Sequence, residues 1–514
     1  MHRQRAVVLA LAVAAIASAA WLAVRARHWN DELAIVSPLA RMPALAIDPH
    51  TPRLARRVVM IVIDGLGIDE SHLPYLDELR ARGAATTAHV PYPTISRPNY
   101  VTLLSGVPPA DSGVRANRVR IPVTLDTVLD RARAAGMRVA TASDYGMLPA
   151  LFVRGASSLS AVRWTDDNQP VPPASWPVDV AERSDSLAEL GPVIARLAAS
   201  DAALITALVL DVDRAGHAHG VGAEYRAAAR DTDAMLRAAF ARVDLSRDAV
   251  IVTADHGHVV PGGHGGIERE VSNVPVVLAG AGVVPHATAG DARSIDIAPT
   301  VAALLGVPSP GHAEGRALVE LLALSPADAA RRASADQIRG AIVREVVAAA
   351  RIDRPDVVQL ALVAIGLVLA ALLAFALRAA IAISPRSLAG AIGIPAMVVA
   401  LGAMTRWRFS PSYVPSLPRV ELIGGISALL AIAVQVVASY IAIRRAPDRR
   451  VRGNGIAFVG LASSLATVAA VRAWYAPPFI AVPPPFWFVA VPAIELGAAT
   501  ACIAIAITLA IARR

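Results

Sequence analysis

The chain contains no lysine and a single cysteine, Cys502, among its 514 residues. One thiol excludes an intramolecular disulfide and any metal site built on paired thiolates, and it leaves an oxidising compartment permitted but not required. All 49 basic residues are therefore arginines. They are scattered, with the densest cluster beside apolar spans, so the net charge of +8 reads as a membrane-topology signal and no nucleic-acid partner is expected.

What the chain has in excess is apolar residues, 55% of the total, with a mean hydropathy of +0.51. Both exceed what a soluble domain carries, and the excess is local. Residues 6–24 are continuously apolar after Met1-His2-Arg3-Gln4-Arg5. Five further apolar segments fall near 357–377, 388–405, 421–443, 454–474 and 486–511, each near the length that spans hydrocarbon. Residues 1–24 read as a transmembrane anchor, or as a signal peptide cleaved near Ala17-Ser18-Ala19; the apolar run through Trp21-Leu22-Ala23-Val24 favours the anchor. With the N-terminus inside, the loops carrying Arg378 and Arg386, and Arg444, Arg445, Arg449, Arg450 and Arg452, fall inside with the Arg513-Arg514 tail. Trp407, Phe409, Tyr413, Tyr475 and Trp487 border the opposite face, where Arg406, Arg408 and Arg419 run against the bias. Six spans would leave both termini cytoplasmic and the polar middle of the chain periplasmic or extracellular.

That middle divides into a linker (25–57), a domain (58–325), an amphipathic connector (326–356) and then the five-span region (357–514). Apolar runs at 58–63, 137–141, 204–210, 250–253 and 274–278 read as buried strands, and helical patterns at 124–135 and 225–243 lie between them. The alternation predicts a three-layer α/β/α domain with a largely parallel sheet. Pro170, Pro172, Pro173 and Pro177 break the rhythm and suggest an inserted cap over about 145–200.

Polar motifs gather at or near the predicted strand ends: Asp64-Gly65; Pro93-Thr94-Ile95-Ser96-Arg97-Pro98-Asn99; Asp213-Arg214-Ala215-Gly216-His217; Asp255-His256-Gly257; and Gly262-Gly263-His264-Gly265-Gly266. Alone, each is weak. Asp213 and His217 stand one helical turn apart, and Asp255-His256 follows a strand directly, so both pairs can offer two ligands to one cation. Carboxylates and imidazoles without thiolates suit zinc, and manganese less specifically. Paired divalent ions serve in-line displacement at phosphorus, for which a serine or threonine oxygen is a natural nucleophile.

In this order the motifs resemble the alkaline phosphatase superfamily, and more closely its nucleotide pyrophosphatase/phosphodiesterase branch. Alignment on Pro-Thr-x-Thr-x-Pro-Asn places Ser96 at the nucleophile position, with Thr94 as the alternative if the register differs. The phosphate-holding Asn of that branch falls on Asn117, 21 positions later. The resemblance implies that Asp64, Ser96, Asp255 and His256 hold one metal and that Asp213, His217 and His264 hold the other. It extends to Ser294-Ile295-Asp296-Ile297-Ala298-Pro299-Thr300. His219 and His258 read as neighbours of ligands or solvent-facing, and Asp211 as a weaker candidate.

Tyr100 stands where sulfatases need an arginine, which argues against sulfatase chemistry. Arg97 replaces a base-holding aromatic residue, which puts nucleotide specificity in doubt; it would meet a second anionic group or face solvent. The membrane layout is similar to that of the glycosylphosphatidylinositol ethanolamine-phosphate transferases. Together these imply a membrane-anchored phosphodiesterase or phosphotransferase acting through a phosphoserine, with lipid-linked or head-group phosphodiesters as substrates. Hydrolysis and transfer differ only in the second nucleophile. A phosphomonoesterase and a non-catalytic binding or assembly protein are the alternatives.

Overall fold

The computed structural model describes residues 2–117, 123–144, 163–166, 170–172, 176–350, 356–414, 417–475 and 482–513. The chain divides into two compact units, residues 33–351 with 480–482, and residues 1–32 with 352–479 and 483–514.

The first unit is built on β1 (Arg57–Ile63), whose seven residues are all buried. After Arg57 the run Val58–Ile63 is apolar and mostly β-branched, which suits a strand covered on both faces. Along the chain follow β2 (Ala84–His89), β3 (Val139–Ser143), a short antiparallel pair β4 (Arg163–Trp164) and β5 (Pro170–Val171), β6 (Val180–Arg183), β7 (Leu204–Val209), β8 (Asp248–Thr253) and β9 (Asn273–Gly280). The main sheet has the order β2-β9-β8-β1-β7-β3-β6. Strands β8, β1, β7, β3 and β6 are parallel, while β9 and β2 add an antiparallel edge. The expected α/β sheet is therefore present. Its central trio β8-β1-β7 aims three carboxyl-terminal ends the same way, and Asp255, Asp64 and Asp213 follow those ends. Parallel α/β sheets place their sites at such ends.

Three boundaries differ from those read in the sequence. Residues 33–56, read as linker, pack on this unit: Ile35 N donates to Gly113 O at 3.1 Å, Ser37 Oγ to Asp111 O at 2.7 Å, and Leu39 is fully buried. The stretch read as a cap supplies β6 to the main sheet and the helix Leu187–Ala198, whose Leu190, Ile194 and Leu197 are buried. Residues 145–162, 167–169 and 173–175 of that stretch lie outside the described residues. The helix Pro326–Ala350, read as part of a connector, buries Arg332 and Arg339. Arg332 donates to the carbonyls of Val307 and Pro299, and Arg339 to that of Ala313, so this helix belongs to the α/β unit.

In the second unit Gln4–Arg27, Val357–Ala376, Arg419–Arg444, Arg449–Tyr475 and Pro485–Ile511 are long and apolar enough to cross a membrane. The segment expected as a single span at 388–405 is instead a pair, Pro385–Ala391 and Gly393–Met404, bent by 49°. Small residues permit the break: a Cβ on Gly390 would lie 2.1 Å from Ile456 O, and one on Gly393 would lie 2.6 Å from the Ala501 Cβ. The two ends of the pair meet the bundle at different levels. Ala382 N donates to Val451 O at 3.2 Å near the start of Arg449–Tyr475, while Ser427 Oγ meets Met404 Sδ at 3.5 Å in the first half of Arg419–Arg444.

The first and last helices lie side by side. Val8, Leu11, Ala15, Ala19 and Leu22 share one core with Ala498, Cys502, Ile505 and Leu509. Arg25 Nε stands 3.7 Å from Glu495 Oε1, and Trp29 Nε1 donates to Phe488 O at 3.0 Å, the carbonyl left without a helical partner by Pro492. The C-terminal end of the first helix therefore meets the N-terminal half of the last, so the two are antiparallel.

Candidate active site

Ser96 opens the helix Ser96–Ser105 and is half-buried at its N-terminus. That position sets its hydroxyl where the helix dipole favours developing negative charge. Its Oγ lies 3.0 Å from His256 Nε2. Around the same imidazole stand Asp64 Oδ1 at 3.4 Å and Asp255 Oδ2 at 3.3 Å, all three side chains buried. The four residues expected to share one cation are thus brought together.

The second group forms beside it. His217 Nε2 stands 3.4 Å and His264 Nε2 3.8 Å from Asp213 Oδ1, and the two histidine nitrogens are 3.1 Å apart. Asp213 and His217 fall one turn apart on the helix Asp211–His219. Asp211, the weaker candidate, begins this helix, where two positions of separation turn it toward a different face from Asp213. Its Oδ1 accepts from Arg214 at 2.8 Å and it joins neither cluster. His219 is exposed, whereas His258 is buried.

Asn117 lies against Arg97, the residue after Ser96. Its Oδ1 accepts the Arg97 backbone N–H at 3.0 Å, which fixes its amide orientation, and Arg97 NH1 reaches its carbonyl at 3.3 Å. Arg97 is thus buried and braces Asn117 instead of facing solvent. Thr94 is fully buried: its Oγ1 donates to Gly266 O at 2.9 Å and accepts Gly265 N at 3.0 Å, while Thr94 O faces His264 Nδ1 at 2.9 Å. A hydroxyl spent in this way clamps the His264 loop, so of the two nucleophile candidates Ser96 is the one whose hydroxyl faces the cluster.

Two tyrosines hold the first group: Tyr100, which the sequence weighed only against sulfatase chemistry, and Tyr225, which it did not single out. Tyr100 Oη donates to Asp64 Oδ2; it sits four residues after Ser96, on the same helical face, a spacing that could have drawn attention to it. Tyr225 Oη donates to Gly65 O at 2.5 Å and accepts Gly67 N at 3.2 Å, closing the turn after β1. It comes from a helix more than a hundred residues away, and no local signal marks it.

The electrostatics call for cations. Asp64 Oδ1 and Asp255 Oδ2 are buried without a hydrogen bond. Burial first, and then neighbouring carboxylates, hold both acids well above the usual range, Asp64 beside Asp255 and Asp213, and Asp255 beside Asp213. Burial would raise Asp213 too, but a hydrogen bond to His258 and the nearby imidazoles hold it below. Burial pushes His256 well down and His264 down to about 3, which keeps both neutral, the state a cation requires of an imidazole ligand. His256 and His264 each turn Nδ1 to a backbone carbonyl, of Gly257 and Thr94, and aim Nε2 inward. Ligand atoms within 4.8 Å of one another group as Asp64-Asp255-His256, Asp213-His217-His264 and Asp213-His256-His258. These nitrogen and oxygen donors fit divalent cations.

Residues 58–261 match the family described as type I phosphodiesterase / nucleotide pyrophosphatase. A curated mouse protein, GPI ethanolamine phosphate transferase 1, is 24% identical over 328 residues, 55% of this chain and 35% of that protein. A 2,3-bisphosphoglycerate-independent phosphoglycerate mutase of Cereibacter sphaeroides is 35% identical over 122 residues, 23% of this chain and 24% of that protein. The chain thus spans about a third or less of the length of these relatives. Among solved structures, murine ectonucleotide pyrophosphatase / phosphodiesterase 5 is 14% identical, covers 49% of this chain and 96% of its own, and gives a TM-score of 0.38. By the matched segment, this chain's α/β unit is similar to the type I phosphodiesterases / nucleotide pyrophosphatases.

Proposed function

We propose that this protein is a membrane-anchored phosphodiesterase or phosphotransferase that works through a phosphoryl group on Ser96, and that its α/β unit lies outside the cytoplasm. The observation that carries the reading is Ser96 Oγ, at a helix N-terminus and 3.0 Å from His256 Nε2, beside two buried carboxylates that each keep one oxygen without a hydrogen bond. The match over residues 58–261 and the similarity to a GPI ethanolamine phosphate transferase support phosphoric ester chemistry and a lipid-linked or head-group phosphodiester.

Asp64, Ser96, Asp255 and His256 would hold one divalent ion, zinc before manganese, and Asp213, His217 and His264 another; bound there, the ions would supply charge neutralisation to the phosphoryl group. The residues do the rest. Asn117, held by the Arg97 amide, turns its Nδ2 to an equatorial phosphoryl oxygen. Ser96 gives up its hydroxyl proton, its Oγ–P bond forms as the ester P–O bond breaks, and the departing oxygen takes up a proton. Water or an acceptor hydroxyl then cleaves Oγ–P and returns a proton to Ser96. A unit tethered at the bilayer meets head groups at high effective concentration.

The antiparallel first and last helices support an even number of crossings, six with the bent pair counted as one. Six crossings return the loop of Arg444, Arg445, Arg449, Arg450 and Arg452 to the side of the N-terminus, as the positive-inside rule asks. Purified protein assayed on aryl phosphodiesters, phosphomonoesters and sulfate esters, with metal analysis, tests the activity. A diester preference that depends on bound metal is expected. A monoester preference would transfer the reading to a phosphomonoesterase, and a metal-loaded protein inert on all three would leave a binding role.

A further inference from the structure

His258 follows His256 by two residues and is buried among the candidate ligands. The rings of His217, His256 and His264 surround it, with centroids 5.2, 5.7 and 5.2 Å away. Its Nδ1 faces Gly262 O at 3.0 Å, and its Nε2 faces Asp213 Oδ1 at 2.9 Å, closer than either His217 at 3.4 Å or His264 at 3.8 Å.

The backbone makes room for this ring at two separate places. A Cβ on Gly65 would come within 2.8 Å of His258 Nε2, and so would one on Gly216. Gly65 belongs to the turn that carries Asp64, and Gly216 to the helix turn that carries Asp213 and His217. Elements from both candidate cation groups therefore close around one imidazole nitrogen, which ordinary space-filling by an apolar side chain would not require.

Asp213 needs such a fixture. Its carboxylate lies within reach of both His217-His264 and His256-His258, whereas Asp64 and Asp255 group only with His256. It is the acid that can be drawn to either side. Resting on the two-cation reading, we propose that His258 is a positioning residue that acts through Asp213: it pins one carboxylate oxygen and thereby assigns Asp213 to the His217-His264 cation site. Occupancy of that site then depends on His258, and occupancy of the Asp64-Asp255-His256 site does not. Groups that orient a ligand in this way alter metal affinity by about 10–100-fold.

The test is zinc binding by the full-length protein in detergent, stripped of metal and titrated by equilibrium dialysis with elemental analysis, alongside thermal unfolding. His258→Met fills the space but cannot reach Asp213 with an N–H; His258→Gln restores a donor. We expect two zinc ions in wild type, affinity for one of the two reduced by about 10–100-fold in His258→Met, and recovery of much of that loss in His258→Gln. Two ions bound by His258→Met with wild-type affinities would overturn the assignment of His258 while leaving the two-cation reading intact. Equal weakening of both sites in both variants would assign His258 a purely structural role. Fewer than two ions in wild type would overturn the two-cation reading and this inference with it. If His258→Met fails to fold, His258→Leu takes its place: weakened binding at one site with the other retained supports the assignment, and weakening at neither or at both contradicts it.

Discussion

The hydroxyl of Tyr225 lies 2.5 Å from the carbonyl oxygen of Gly65 and 3.2 Å from the amide of Gly67, so a single phenol closes the turn that presents Asp64. Tyr225→Phe would leave both backbone groups buried and unpaired, at a cost of about 1–3 kcal/mol. We expect a lower Tm and a larger fall in kcat than in KM, because Asp64 loses its placement and not its identity. An unchanged Tm with unchanged kcat would show that the turn holds itself.

Thr94 is a clamp between the loop that leads to Ser96 and the His264 loop. Thr94→Ser retains the hydroxyl and is expected to stay close to wild type, whereas Thr94→Val strands Gly265 N and Gly266 O and is expected to lower kcat by about 10–100-fold, the cost of one to two lost hydrogen bonds at a positioned site. A Thr94→Val enzyme as active as wild type would remove the clamp from the account.

Away from the site, burial first and then Asp111 push the carboxyl of Glu314 up from 4.5 to about 8. Between those two values the unfolded chain ionises this group and the folded chain does not, so stability is greatest below the lower value and is lost as pH rises toward the higher. Glu314→Gln removes that loss. Measured Tm of wild type should therefore fall behind that of Glu314→Gln as pH rises from about 5 to about 8, and a constant difference would contradict the shift.

The membrane unit gives a topological prediction. Reporters placed at Pro447 and Val414 should report opposite sides, Pro447 inside and Val414 outside. Because Val8, Leu11, Ala15, Ala19 and Leu22 are packed against the last helix, the mature protein should also retain its first helix by intact mass. Pro447 outside would convert the bent pair from a broken span into a re-entrant loop, and loss of residues 1–19 would identify a signal peptide.

Most of the candidate site was legible in the sequence because each member sits beside a local signal. Asp64 and Asp255 end apolar runs, Asp213 and His217 share a helical spacing, and glycines flank His264. What escaped came from elsewhere in the chain. Tyr225 arrives on a helix remote from β1, Thr94 was visible only as a rival nucleophile, and the role of Arg97 depended on where Asn117 lies. The sheet edges were also missed: β2 reads Ala-Ala-Thr-Thr-Ala-His, too polar and small for an apolar-run criterion, and β6 lies in a Pro-broken stretch that reads as an excursion. The break at Ile392 left no mark on hydropathy, since both halves are apolar and the bend follows from close backbone packing at Gly390 and Gly393.

Acid-quenched turnover of an aryl phosphodiester, followed by mass spectrometry of the peptide that contains residue 96, tests the central claim most directly. Wild type should carry on Ser96 a phosphoryl group that still bears the second ester substituent of the substrate, and Ser96→Ala should show neither that adduct nor turnover. Full turnover by Ser96→Ala, or a phosphoryl group trapped on another residue, would contradict it.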